Sequence, residues 1–218
     1  MTELNIEIEE LISNNANDFQ ISKVFKNYYK NYVVSIDTTL ETTGGKDFFI
    51  KHTKHTDKFL ISMYKYILRK YFGSYQPMSS SVPISLIALG SYGREQLCIY
   101  SDIDIMILYE DIRGYNLKEM MEEFITLAWD CGLKLGSRVH ELKDIQNAVK
   151  EDITIKSSIL ESRLIYGSKM LWFGYENVLQ KIRKTNQKEF ILDKLEEHKQ
   201  RLLKYPLKME PNIKDGYG

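Results

Sequence analysis

The sequence predicts an α+β protein in which a small mixed sheet is flanked by helices. Apolar residues recur at three- and four-residue steps through the first 72 residues and again from residue 152 onward, which is typical of helices. Between these regions, two short apolar runs of strand length occupy residues 84–89 and 103–109. A stretch rich in Gly, Ser and Pro, residues 73–83, interrupts the helical pattern before the first run.

These patterns divide the chain into four parts. We expect a helical N-terminal region at residues 1–73, a connector at 74–83, a mixed core at 84–150 and a helical C-terminal segment at 151–218. Within the core, a helix with an inner stripe from Leu117 to Ala128 is predicted between the second run and a third, half-exposed strand at 133–139.

The C-terminal segment is predicted to contain three helices. Asp152 can cap a helix that runs from Ile153 to Tyr166 and ends at Gly167. Two further helical patterns follow at residues 168–183 and 187–203.

Composition excludes some classes of function. The 218 residues carry 30 basic and 30 acidic side chains, and this balance argues against binding of extended nucleic acid, which needs a basic field. The N-terminus has no signal-peptide pattern, and no stretch approaches the roughly 18 apolar residues of a membrane span. We therefore expect a cytoplasmic protein that does not contact a membrane.

Two aspartates open the second apolar run. Side chains alternate between the faces of a strand, so Asp102 and Asp104 are predicted to point the same way, on the face continued by Met106 and Leu108. Two carboxylates at the edge of a sheet suit Mg²⁺, which is bound in proteins through one or two carboxylates together with substrate phosphates.

A Gly-Ser turn follows the first run. Gly90 and Gly93 allow backbone amides to approach an anion closely, Ser91 offers a hydroxyl and Arg94 adds positive charge. A helical turn beginning near Tyr92 would present further amides to a phosphate. A phosphate cradle next to a two-carboxylate metal site predicts a nucleoside triphosphate site and the chemistry of nucleotidyl transfer.

The arrangement resembles the signature of the polymerase-β-like nucleotidyltransferase superfamily, in which Gly-Ser precedes Asp-x-Asp by about ten residues. The longer stretch GSYGREQLCIYSDIDIMIL is similar to a segment of the bacterial protein-PII uridylyltransferases, the bifunctional uridylyltransferase/uridylyl-removing enzymes. Similarity continues through LAWDCGLKLGSRVHEL, DITIKSSILESRLIYG and EPNIKDGYG, from about residue 86 to the end. The first 72 residues match this family only in being helical.

The resemblance implies a fold, a reaction and a set of roles. The fold would be a polymerase-β-like core, and the reaction would move UMP from UTP to a tyrosine of the PII nitrogen-signalling protein, with release of pyrophosphate. Asp102 and Asp104 would be the catalytic residues and bind Mg²⁺, with Mn²⁺ as the alternative ion. Gly90 and Ser91 would contact the triphosphate, supported by Gly93 and Arg94.

The sequence departs from the family pattern in two ways. Many superfamily members carry a third carboxylate on a later strand, but residues 133–139 contain none, and Asp130, Glu141 and Asp152 are the nearby candidates. The family's enzymes also continue into an HD phosphohydrolase domain and ACT domains that have no counterpart here. We therefore expect a fragment of a longer enzyme, without the uridylyl-removing activity.

Several alternatives stay open at this point. No residue reads the base, so transfer of AMP or another nucleotide to a different protein is one alternative, and a catalytically weak interaction domain is another. His52, His55 and Asp57 could bind a metal if they share a helix face, but a solvated surface is the expected state of this polar stretch. Glu161 and Arg163 are expected on a charged helix face, bordering the nucleotide if the resemblance extends to them.

Overall fold

A computed structural model describes residues 2–43, 45–73, 78 and 81–204. Most of the predicted connector, together with the EPNIKDGYG segment, therefore lies outside the described residues. Three helices precede the sheet, as the periodicity predicts: α1 (Thr2–Ser13), α2 (Asp18–Thr43) and α3 (Gly45–Phe72). None of the helices in the described ranges is long and apolar enough to cross a membrane.

A four-stranded mixed sheet forms the centre of the fold. Its strands are β1 (Ile84–Ala88), β2 (Ile103–Tyr109), β3 (Leu135–Glu141) and β4 (Arg163–Gly167). They lie in the order β3-β2-β1-β4, with β2 and β3 parallel and the other two pairs antiparallel. The predicted α+β class, with a small mixed sheet flanked by helices, is confirmed.

Within the described residues, six further α-helices connect and cover the strands. They are α4 (Gly90–Gly93), α5 (Leu117–Asp130), α6 (Ile145–Glu151), α7 (Ile153–Leu160), α8 (Lys169–Lys184) and α9 (Gln187–Lys204). The helical turn expected near Tyr92 is α4, and it begins two residues earlier, at Gly90.

The sheet buries both of its faces. Alternate residues of β2, Ile103, Ile105 and Ile107, join the core formed with α1, α2, α3 and α5. The intervening residues Met106 and Leu108 join a second core, formed with α6, α7 and α8. This alternation gives three layers and assigns Asp104, which shares the face of Met106, to the α6–α8 side.

The helix predicted from Ile153 to Tyr166 is wrong beyond its middle. Asp152 caps α7 as expected, accepting a hydrogen bond from the Thr154 amide at 2.7 Å. The helix ends at Leu160, however, and β4 follows, antiparallel to β1. Arg163 is therefore a strand residue, because pairing with a strand some 75 positions earlier in the chain overrides the local helical periodicity.

The expected solvated surface at His52 and His55 is also wrong. His52 is buried, and its Nδ1 lies 2.6 Å from the Tyr32 hydroxyl. The His55 ring stacks on that of Tyr32 with centroids 3.5 Å apart. Burial lowers the pKa of each histidine from 6.5 to about 4. Both side chains therefore pack in the α2–α3 interface in their neutral form.

This histidine pair predicts a loss of stability in acid. Since the folded-state pKa lies below 6.5, the unfolded chain takes up protons first, and the free energy of unfolding falls as the pH drops from 6.5 towards 4. The His52 shift alone corresponds to about 3 kcal/mol. Urea titrations at pH 7.5 and 5 measure this, with His52→Gln/His55→Gln expected to flatten the pH dependence. The exposed His198→Gln is the control, and a pH-independent wild type would contradict the prediction.

Candidate active site

The structure brings the Gly-Ser turn and the aspartate pair to the same end of the sheet. The Leu89 amide, which immediately precedes the turn, donates a hydrogen bond to the Asp104 carbonyl oxygen at 3.0 Å. At this end β1 terminates while β2 begins, because the two strands are antiparallel. The Gly-Ser turn and the aspartate pair, which belong to separate stretches of the chain, therefore lie at the same edge of the sheet.

The two aspartates lie at the start of β2. Asp104 is exposed, the strand residues 105–108 after it are buried, and Asp102 is exposed just before the strand. Partial loss of water around Asp104 raises the pKa of its carboxyl group, the charge of Asp102 raises it further, and Arg138 lowers it. The pair is therefore a concentration of negative charge that a cation would stabilise.

Space for the Asp104 carboxylate comes from a glycine on the neighbouring strand. Gly136 lies opposite Asp104 in the parallel β2–β3 register. A Cβ atom at position 136 would lie 2.4 Å from Asp104 Oδ1, much closer than side chains approach one another. The absence of a side chain at Gly136 thus sets the position of this carboxylate.

Gly136→Ala is expected to reduce turnover about 10²-fold with little loss of stability. The added methyl group displaces the end of a flexible side chain, which costs the fold little, but it misplaces a carboxylate that must be accurately positioned. Steady-state kinetics and thermal unfolding measure the two effects. Ser137→Ala, one residue further and on the other face of β3, is the control, and wild-type turnover in Gly136→Ala would contradict the role given to Asp104.

The Gly-Ser turn has an open side and a packed side. Gly90 adopts a left-handed conformation with φ +54°, and a Cβ atom there would meet nothing within 4 Å. Ser91 is half-buried beside it. The Gly93 amide, in contrast, donates to the Leu89 carbonyl oxygen at 2.9 Å and is engaged within the turn. A substrate anion can therefore approach this turn at Gly90 and Ser91.

Gly93 packs against the segment between α7 and β4. A Cβ atom at this position would lie 1.8 Å from the Glu161 carbonyl oxygen and 3.1 Å from that of Ala88. Only glycine fits between these two backbone segments. Gly93 therefore has a packing role in the turn, and its predicted part in the approach of the backbone to an anion stays a prediction.

Arg94 and Glu161 form an ion pair beside the turn. Arg94 Nη1 contacts Glu161 Oε2, and Arg94 Nε donates to Gln96 Oε1 at 3.2 Å. Both members of the pair are partly exposed, with 44% and 41% of their side-chain surface accessible. Such a pair is weakly held in water, so Arg94 can exchange its partner for a phosphate.

Three residues that sequence reasoning did not connect form a network under the turn. Tyr92 donates its hydroxyl to Asp57 Oδ1 at 2.6 Å. Arg163 donates to both carboxylate oxygens of Asp57, at 2.8 and 3.0 Å. Asp57 and Arg163 are 106 positions apart, so no local pattern reveals the pair. Asp57 lies in a polar stretch of its helix and Arg163 follows Glu161 and Ser162, so neither residue stands out from its neighbours in the sequence.

The three candidates for a third acid lie in different places. Glu141 is opposite Tyr109 at the far end of β3 and pairs with Lys143. Asp130 is exposed at the end of α5, which packs on the other face of the sheet. Asp152 is the cap of α7, on the face that Asp104 shares. Its pKa is lowered first by hydrogen bonds from Thr154 and also by the charge of Arg138.

The donor set suits a divalent cation that retains other ligands. Among the described residues, no group of three or more His, Cys, Asp and Glu side chains is arranged to hold a metal ion. Asp102 and Asp104 supply two carboxylates next to an anion-accessible turn, which matches the way Mg²⁺ is shared between protein and phosphate. These two residues would hold the ion.

Comparison with known proteins gives a family match for part of the chain. Residues 50–138 match the family described as "Putative nucleotidyltransferase DUF294". The match begins in α3, upstream of residue 86, where the sequence resemblance was expected to begin. The mixed sheet and the paired aspartates at its edge agree with this similarity to nucleotidyltransferases.

The chain is also similar to individual proteins of known name. Over 139 residues the chain is 35% identical to bifunctional uridylyltransferase/uridylyl-removing enzymes of Burkholderia thailandensis, Burkholderia mallei and Burkholderia pseudomallei. These alignments cover 62% of this chain and 16% of each relative, so the chain spans a small part of their length. Over these 139 residues the chain is thus similar to a portion of the uridylyltransferases.

Proposed function

We propose that this domain transfers UMP from UTP to a tyrosine of a PII-type signalling protein. The observation that carries the proposal is the meeting of an anion-accessible Gly-Ser turn and a paired-aspartate strand end, in a chain 35% identical over 139 residues to uridylyltransferases. In the reaction the tyrosine oxygen forms a bond to the α-phosphorus, the bond to the oxygen bridging to the β-phosphorus breaks, and pyrophosphate leaves.

The proposal gives the residues of the turn and the aspartate pair separate roles in the reaction. The turn at Gly90 and Ser91 binds the triphosphate, and Arg94, released from Glu161, adds positive charge beside it. Asp102 and Asp104 would hold Mg²⁺, or Mn²⁺ as the alternative, which would supply positive charge to neutralise the charge that develops on the phosphate oxygens. The exposure of both carboxylates leaves the site open to a protein substrate.

We propose Asp152 as the third acid. It lies on the same face of the sheet as Asp104, and Arg138 influences both carboxyl groups, whereas Glu141 occupies the far end of β3. An acid at this position can accept the proton of the attacking tyrosine hydroxyl.

The proposed use of UTP can be tested by comparing how strongly the four nucleoside triphosphates bind. Thermal unfolding in the presence of Mg²⁺ and each of UTP, ATP, CTP and GTP is expected to show the largest stabilisation with UTP, because a ligand that binds the folded state raises the unfolding temperature. A larger shift with ATP would redirect the proposal to AMP transfer. No shift with any of the four nucleotides would contradict a triphosphate site.

A further inference from the structure

Side chains of α3 and β4, which are distant in the chain, hold the Gly-Ser turn through hydrogen bonds to Tyr92. The α4 residue Tyr92 is fully buried, and its hydroxyl donates to Asp57 of α3. Arg163 of β4 binds the same carboxylate with two hydrogen bonds, and its Nη2 lies 3.4 Å from the Tyr92 carbonyl oxygen. The guanidinium also lies over the Tyr92 ring, 5.6 Å from its centroid. We call Asp57, Tyr92 and Arg163 the anchor network.

The anchor network is largely shielded from solvent. Tyr92 has no solvent-accessible surface, and the side chains of Asp57 and Arg163 are only 16% and 25% exposed. Burial and the Asp57 charge raise the pKa of the Tyr92 hydroxyl well above its usual value, so the group remains a hydrogen-bond donor. Tyr92 can therefore influence a bound substrate only through the backbone of the turn.

The position of Tyr92 gives that route. Its neighbour Ser91 is one of the two residues at the open side of the turn, and Gly93 on the other side is packed against the Glu161 backbone. The turn thus has two points of attachment: the Gly93 contact fixes its end, and the Tyr92 side chain fixes its middle. Loss of the second attachment leaves the amides at Gly90 and Ser91 free to shift.

We infer that Asp57 and Arg163 are positioning residues that hold Tyr92, and through it the backbone of the Gly-Ser turn, in the conformation that binds the nucleoside triphosphate. This inference rests on the proposed function, because it assigns the turn to the triphosphate. It makes α3, a helix outside the sheet, part of the binding site's support. The network affects triphosphate affinity far more than the chemical step.

Two tyrosine variants separate positioning from a purely structural role. Tyr92→Phe removes a hydroxyl that donates to an aspartate on another element. Tyr66→Phe removes the same kind of bond, since Tyr66 donates to Asp18 Oδ1 at 2.8 Å. This second hydrogen bond links α3 to α2, away from the turn. We expect both variants to lose similar thermal stability. Tyr92→Phe alone should raise the Kd for UTP in Mg²⁺ about tenfold.

Calorimetric titration with UTP and steady-state kinetics give the readouts. In Tyr92→Phe and in Asp57→Asn, KM for UTP should rise with Kd while kcat changes less than about twofold. Equal Kd values in wild type, Tyr66→Phe and Tyr92→Phe would overturn the inference and leave the proposed function standing. A wild-type protein that binds no nucleoside triphosphate would overturn the proposed function and this inference with it.

Discussion

Replacing Asp102 and Asp104 together by asparagine is expected to reduce nucleotidyl transfer by about 10³-fold or more. A metal ion supplies several kcal/mol of charge stabilisation to phosphoryl transfer, and asparagine removes both anionic ligands that would hold it. The side chains keep nearly the same size, and both lie exposed at the strand end. The fold should therefore persist while the reaction is lost, which pyrophosphate release and thermal unfolding measure together.

The same assay separates the acids from one another. Asp130→Asn, at the end of α5 and on the other face of the sheet, is the control and should keep wild-type turnover. Asp152→Asn is expected to lose turnover while retaining UTP binding, and undiminished turnover would remove Asp152 from the site. If the Asp102→Asn/Asp104→Asn variant released pyrophosphate at the wild-type rate, the proposal that these two residues are catalytic would be wrong.

Gly93→Ala is expected to lower the free energy of unfolding by about 3 kcal/mol and to abolish triphosphate binding. The added Cβ would lie 1.8 Å from the Glu161 carbonyl oxygen, and overpacking against backbone cannot be relieved by a side-chain rotation. The turn or the α7–β4 segment must move, and either movement displaces Gly90 and Ser91. Urea titration and calorimetry with UTP measure the two effects.

Gly174→Ala is the matched control for this substitution. Its Cβ would approach Leu142 Cδ2 to 2.8 Å, but that atom is the end of a flexible side chain. Alanine is also favoured over glycine inside a helix by about 1 kcal/mol. We therefore expect little change in stability or binding. If Gly93→Ala changes stability and UTP binding as little as Gly174→Ala does, close packing does not require glycine at position 93.

Local sequence patterns predict the elements whose character is set by their own residues. The second strand occupies residues 103–109 as predicted, because β-branched and apolar side chains favour a buried strand wherever it pairs. The helix at 168–183 is displaced by one residue, with Ser168 as its cap. The alternation that places Asp104 and Met106 on one face follows from strand geometry alone.

Features that depend on contacts between residues far apart in the chain cannot be predicted from local sequence patterns. Residues 163–167 form a strand because β1 offers them a free edge, not because their own pattern differs from the preceding helix. His52 looks polar in its local context and is buried by aromatic residues of α2 and α3. Likewise, the Asp57–Arg163 ion pair joins residues 106 positions apart.

For the site, the sequence predicts which residues meet but not what supports them. The Gly-Ser turn and the aspartate pair meet because β1 and β2 are antiparallel neighbours, which their spacing suggests. The roles of these residues as ligands of metal and triphosphate stay predictions. The space made by Gly136 depends on the parallel register of β2 and β3, which pairs residues more than 30 positions apart and has no local signal.

Mass spectrometry of a PII-type protein after incubation with this protein, UTP and Mg²⁺ tests the proposed transfer of UMP to a tyrosine. We expect one added UMP on a tyrosine of the PII-type protein and an equal amount of released pyrophosphate. The Asp102→Asn/Asp104→Asn variant should form neither product. An unmodified PII-type protein and no release of pyrophosphate from UTP by the wild type would contradict the proposed transfer.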